Sequence, residues 1–202
     1  MHLWGFIMRK EGGIFAIISI ILFLELIVLA FKYPTEDTYQ LGIRLTALIG
    51  FCSLFVSVIM SNFFESFNKY GEKSLGYHHL FGGIGIILIT LHPVILAVYN
   101  TDLSVFLPKV DSWIIFWEYA GRPSLIILYI GFVGGFLLKA YKKKWRGLHA
   151  LTYIALFLGL VHGYLIGTDF QNPFITAIFV IMFLVSIYVL IDKRYKLRKE
   201  AN

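Results

Sequence analysis

Six runs of this chain are apolar for long enough to cross a lipid bilayer, which leaves few architectures open to it. They are Gly13–Phe31, Leu41–Phe64, Leu75–Tyr99, Tyr119–Ala140, Leu148–Ile166 and Phe174–Ile191. A bilayer core asks for about 20 residues of helix per crossing. Backbone polar groups in lipid must be satisfied within the segment, so each run is expected to be helical. Charged residues are 15% of the chain, against about 25% in a soluble domain, and mean hydropathy is +0.77. The first run follows Arg9 and Lys10, as a signal peptide would, but it continues unbroken and no Ala-x-Ala site follows, so a spanning helix is expected. The fourth has a short, glycine-rich uninterrupted core, Pro123 to Leu138. The one long connection, Asn100 to Glu118, carries Trp113, Phe116 and Trp117, which suits an interfacial aromatic belt or a short surface helix. With no linker or low-complexity tract, residues 1–202 are expected to form one domain. The lone cysteine, Cys52, excludes an internal disulfide and reads as a small packing residue.

Basic residues orient the runs. Arg9, Lys10, Lys69, Lys73, Lys139, Lys142, Lys143, Lys144, Arg146, Lys193, Arg194, Lys196, Arg198 and Lys199 fall on one side of a six-helix arrangement, and only Lys32, Arg44, Lys109 and Arg122 fall on the other. The positive-inside rule then places both termini in the cytoplasm. The expected fold is an all-α, six-transmembrane helical bundle, multi-pass in the plasma membrane. Positive charge that tracks helix ends serves orientation and contact with anionic lipid headgroups, not nucleic acid.

Five histidines lie inside these runs, four of them in two pairs. His78 and His92 are 14 residues apart on the third, and His149 and His162 are 13 apart on the fifth. Histidine is costly in lipid and is usually kept there for function. Neutral imidazole is an axial ligand of haem iron, so two pairs point to two haems. The third and fifth helices would run parallel, with His78 and His149 toward the cytoplasm and His92 and His162 toward the outside. At about 1.5 Å per residue the two levels are about 20 Å apart. Fourteen residues return to nearly the same helix face, within about 40°, whereas thirteen miss it by about 140°. The outer site must therefore meet the fifth helix on another flank, or that helix must be distorted, as Gly159 and Gly163 on either side of His162 would permit.

His79 is also within reach of the inner level, but adjacent residues point about 100° apart and cannot both bind one iron. The fourteen-residue spacing favours His78, leaving His79 for a propionate or the interface. His2 reads as an exposed surface residue. Arg44 and Arg122, at the outer starts of the second and fourth helices, are candidate partners for haem propionates, and Lys73 and Arg146 are candidates inside. Gly82, Gly83 and Gly85, with Gly131, Gly134 and Gly135, suit both close helix packing and close porphyrin approach. Glu25, the one acid deep in a run, fits a cavity or proton path as well as a helix interface.

His78-His79-Leu80-Phe81-Gly82 followed by Leu91-His92-Pro93 resembles the His-basic-x-x-Gly and Leu-His-Pro pattern of ferric reductase-like transmembrane domains. Trp145-Arg146-Gly147-Leu148-His149-Ala150-Leu151-Thr152-Tyr153, with His162 beyond it, is similar to that family's Trp-x-x-Leu-His-x-x-x-Tyr helix and its later histidine. The resemblance covers helices two to five well and the terminal helices loosely. Ferric reductases, NADPH oxidases, STEAP metalloreductases and the MsrQ-type subunit of methionine sulfoxide repair share this fold. The resemblance implies that His78, His92, His149 and His162 ligate two b-type haems in series. It also implies that Arg44 lies near the distal haem, and Arg122-Pro123 is similar to an Arg-Pro of MsrQ-type sequences. Those sequences usually carry arginine where His78 stands, so four histidines point to the two-haem reductase and oxidase branch.

Full-length reductases of this kind continue into flavin and nicotinamide domains. Gly82-Gly83-Ile84-Gly85 lies within an apolar run and is no phosphate loop. FAD and NAD(P)H are therefore expected only on a separate partner, a cytosolic flavin reductase, with membrane quinol or a small reductant as other donors. The expected activity is one-electron relay to an extracytoplasmic acceptor: ferric iron, oxygen, quinone or a partner enzyme. Two rivals are an MsrQ-like subunit that reduces one extracytoplasmic enzyme, and a non-redox transporter. No intramembrane acidic pair or inverted repeat favours the transporter.

Overall fold

The computed structural model describes residues 18–32, 35, 37–67, 73–136 and 145–201, and every regular element among them is helical. Helix α1 covers 18–32, α2 Thr38–Phe67 and α3 Lys73–Asn100. After a 3-10 turn at Leu103–Phe106 come α4 (Trp113–Glu118) and α5 (Gly121–Phe136). Then follow α6 (Trp145–His149), α7 (Leu151–Ile166), a 3-10 turn at Thr168–Gln171 and α8 (Pro173–Ala201). Four stretches are long and apolar enough to cross a membrane: Thr38–Ser61, Gly76–Asn100, Trp145–Ile166 and Pro173–Lys196. Gly121–Gly135 is a shorter apolar helix. The chain is an all-α membrane protein.

Two boundaries differ from the expected runs. The last helix continues past Ile191 to Ala201, through residues of good helix propensity, and Lys196 pairs with Asp192 one turn back at 2.7 Å. The fifth run is two helices, α6 and α7, meeting at Ala150. His2, Arg9, Lys10, Lys69, Lys139 and Lys142 to Lys144 lie outside the described residues.

The chain divides into two compact units, one of residues up to His92 plus Tyr188 onward, the other Pro93–Ile187. In the first, α2 and α3 meet through small residues. A Cβ on Gly85 would lie 2.7 Å from Leu54 Cγ, and one on Gly50 would lie 2.9 Å from Ile89 Cγ1. Close backbone approach of this kind maximises dispersion contacts, the main attraction between helices in lipid. Leu26 and Ala30 of α1 and Cys52 and Val56 of α2 are fully covered, and Lys193 Nζ donates to Ser61 Oγ at 2.9 Å.

In the second unit α5 packs along α6 and α7. A Cβ on Gly131 would lie 2.7 Å from Thr152 Cγ2, and one on Gly134 would lie 2.6 Å from Leu148 Cβ. The buried Ser124 hydroxyl donates to Ala155 O at 2.7 Å, so it enters the interior without an unmet polar group. Beyond α7, the Phe170 and Phe179 rings meet edge to face, 5.0 Å between centroids.

Candidate functional site

The four paired histidines make the same bond. His78 Nδ1 is 2.9 Å from Ser57 O, His92 Nδ1 is 2.9 Å from Ile43 O, His149 Nδ1 is 3.0 Å from Gly131 O, and His162 Nδ1 is 2.6 Å from Glu118 O. A carbonyl oxygen only accepts, so each Nδ1 carries the proton and donates. A neutral ring in that tautomer has its lone pair on Nε2, the atom offered to a metal, and orientation by a backbone carbonyl is the usual support of a metal-binding imidazole. Around His78 the support is doubled, because Ser57 Oγ lies 2.9 Å from Nδ1 and also donates to His78 O at 2.9 Å.

The acceptors repeat the spacing of the donors. Ser57 and Ile43 are 14 residues apart on α2, as His78 and His92 are on α3. Gly131 and Glu118 are 13 apart, as His149 and His162 are. Each unit thus holds two helical stretches in one antiparallel register, and each histidine takes the carbonyl opposite it. The thirteen-residue spacing is matched by its partner because Glu118 belongs to α4, across a turn from α5.

The irregularity on the histidine side falls at Ala150, one residue after His149, not beside Gly159 or Gly163. There Tyr153 N–H bonds Ala150 O at 3.1 Å in a three-residue turn, and Thr152 Oγ1 donates to His149 O at 2.7 Å. Gly163 is occupied differently from the sequence expectation: a Cβ there would lie 2.9 Å from the Phe170 ring. Gly121, an unremarked helix start in the sequence, seats His162, since a Cβ there would lie 2.6 Å from its Cδ2. Gly135 stands 3.4 Å from His149 Nδ1 by the same measure, and Gly83 meets nothing within 4 Å.

His78 and His92 belong to the first unit, His149 and His162 to the second. His79 is exposed, its ring 5.5 Å from that of His78, and no carbonyl bond of this kind is seen for it among the described residues. Trp145 stands one turn before His149, 6.2 Å between ring centroids, and the Arg146 guanidinium lies 5.6 Å from the Trp145 ring. Glu25 is exposed on α1.

Both candidate propionate arginines bind backbone carbonyls. Arg44 Nη2 donates to Ala30 O at 3.1 Å, in the last turn of α1, where carbonyls lack helical partners. Arg122 Nη1 donates to Ser104 O at 2.7 Å and to Leu107 O at 2.8 Å. In the same connection Asp102 caps the 3-10 turn, accepting from Ser104 N at 2.8 Å and Ser104 Oγ at 2.6 Å. Those two bonds, the hydroxyl first, hold the Asp102 carboxyl below its ordinary range, with Arg122 and Lys109 adding to the effect. Ser57, Gly121 and the Glu118 carbonyl were not singled out from sequence. Only Ser57 carries a signal, a hydroxyl residue where α2 passes His78. Comparison of the chain with family models, curated proteins and solved structures yields no match.

Proposed function

We propose that this protein is a six-span plasma-membrane cytochrome with both termini cytoplasmic, carrying electrons outward through two b-type haems. The observation that supports it most is the shared tautomer: four imidazoles, each donating from Nδ1 to a backbone carbonyl, each with its metal-binding lone pair on Nε2. The donor set fits the group, because a neutral imidazole offering Nε2 is a haem-iron ligand, and four such rings would serve two haems. In the six-span topology His78 and His149 would hold the inner haem, and His92 and His162 the outer one. The haems supply reversible one-electron chemistry between a cytosolic flavoprotein or quinol and an extracytoplasmic acceptor.

The chain's own residues fix ligand protonation and orientation. The Ser57 and Gly131 carbonyls hold the inner rings, and those of Ile43 and Glu118 hold the outer ones. Close packing at Gly85 and Gly134 keeps the paired helices near enough for these bonds. Gly83, with nothing within 4 Å, leaves room beside α3 for a flat macrocycle. Arg146 would be the cation for propionates at the inner end; the Lys73 side chain lies outside the described residues. Outside, Arg44 and Arg122 would be the cations for propionates.

The deciding measurement is a spectrum of the purified protein with pyridine haemochrome quantification. The expected result is low-spin b-type haem at close to two per chain. A colourless protein that stays colourless on haem addition rejects the cytochrome.

A further inference from the structure

The turn joining α4 to α5 serves His162 directly. Glu118, the last residue of α4, accepts the His162 Nδ1–H, and Gly121, the first of α5, leaves room for the ring. In an uninterrupted α-helix the Glu118 carbonyl would accept from Arg122 N–H, four residues on. Here Arg122 N–H bonds Tyr119 O at 3.0 Å, and Ala120 N–H bonds Trp117 O at 3.2 Å. These three-residue bonds have poorer geometry than α-helical ones. They divert Arg122 N–H from the Glu118 carbonyl that meets His162. The Ser57, Ile43 and Gly131 carbonyls lie within helices, whereas that of Glu118 lies at a turn, so its place against His162 depends on how the turn is held.

The Arg122 side chain is placed to hold it. One nitrogen, Nη1, bonds both Ser104 O and Leu107 O, at the end of the 3-10 turn in the connection. The Arg122 guanidinium carbon lies 4.7 Å from the Tyr119 ring centroid, and Lys109 Nζ lies 4.5 Å from the same centroid. Charged hydrogen bonds to carbonyls are stronger than neutral ones, and cations on an aromatic face add to them. The outer connection and the His162 seat are thereby tied through one residue.

We propose that Arg122 is a positioning residue for His162, clasping the outer connection so that the α4–α5 turn keeps its geometry and the Glu118 carbonyl stays against the imidazole. Whatever engages the connection from outside then acts on the outer histidine. The redox consequence rests on the two-haem reading; the clasp itself does not.

The test uses the full chain with isotope-labelled histidine, in haem-free and haem-loaded forms. In Arg122→Met, which keeps the stem and removes the donors, the His162 Nδ1 proton should exchange about tenfold faster or more, while that of His149 is unchanged. Arg122→Lys should restore protection, because a single ammonium can donate to both carbonyls. In haem-loaded Arg122→Met one of two reduction steps should move and the other stay. Unchanged exchange at His162, equal acceleration at His149 and His162, or equal movement of both steps overturns the proposal. If Arg122→Met does not accumulate, Tyr119→Leu, which removes the ring beneath the guanidinium, is read by the same criteria. A wild-type protein that takes up no haem defeats the proposed function, and the haem-free exchange at His162 still decides the role of Arg122.

Discussion

An imidazole in a membrane is useful to a metal only if its protons are settled, and here a carbonyl settles each one. Replacing His149 or His92 by leucine should lower haem content from two to about one per chain, the two variants losing different reduction steps. A variant that keeps both haems would show that its histidine is not a ligand. Ser57→Ala should be milder, since the Ser57 carbonyl remains to accept from His78 Nδ1 and only the hydroxyl is lost. The expected result is retained haem with a displaced inner reduction step, checked by redox titration. Outside the membrane, Asp102 gives a pH-dependent prediction. Its folded pKa is depressed, so its contribution to holding the 3-10 turn is present above the unfolded carboxylate value and is lost as pH falls through the folded one. The Ser104 amide resonance should therefore titrate below the ordinary aspartate range in the native protein and not at all in Asp102→Asn. A midpoint at the ordinary value would mean the cap is not formed in solution.

At the level of helices, small residues do two separable jobs. Gly134 and Gly85 are filled on the far side by Leu148 and Leu54, where an added methyl has no room, so Gly134→Ala or Gly85→Ala should cost about 1–3 kcal/mol by overpacking. Gly83 faces open space, and Gly83→Ala should be neutral or slightly stabilising through helix propensity. A bulkier Gly83→Phe should leave thermal stability near that of the native protein and reduce haem uptake. Loss of stability without loss of haem would assign Gly83 to packing instead. Much of this level was readable in advance, for a plain reason. An apolar run and a histidine within it announce themselves in the residues that carry them. Acceptor carbonyls do not, since every residue has one and only the antiparallel register selects Ser57, Ile43, Gly131 and Glu118. Gly121 drew no notice because its role depends on His162, 41 residues away. The break at Ala150 was equally silent, alanine being the strongest helix former.

For the molecule as a whole, the asymmetry of lysine and arginine in the sequence and the proposed pair of histidine levels make one directional claim. An electron leaving a negative-inside cell gains about 2.3 kcal/mol per 100 mV, so the proposed inside-to-outside order runs with the field. The claim can be tested in sealed vesicles of known orientation. With reductant trapped inside right-side-out vesicles and a membrane-impermeant oxidant such as ferricyanide outside, haem should cycle and oxidant should be consumed. Leucine at His92 should stop oxidant consumption while leaving the remaining haem reducible from within. Leucine at His149 should block reduction from within while leaving the outer haem oxidisable. An inside-positive potential should slow turnover in the native protein, because the electron then moves against the field. If neither variant impairs transfer, or if turnover ignores the sign of the potential, the two levels are not in series across the membrane. In that case the carbonyl-bonded histidines would have to be explained as structural links within each unit. The vesicle experiment thus separates a transmembrane wire from a pair of buried hydrogen-bonded hairpins, which share every local contact described for the four rings.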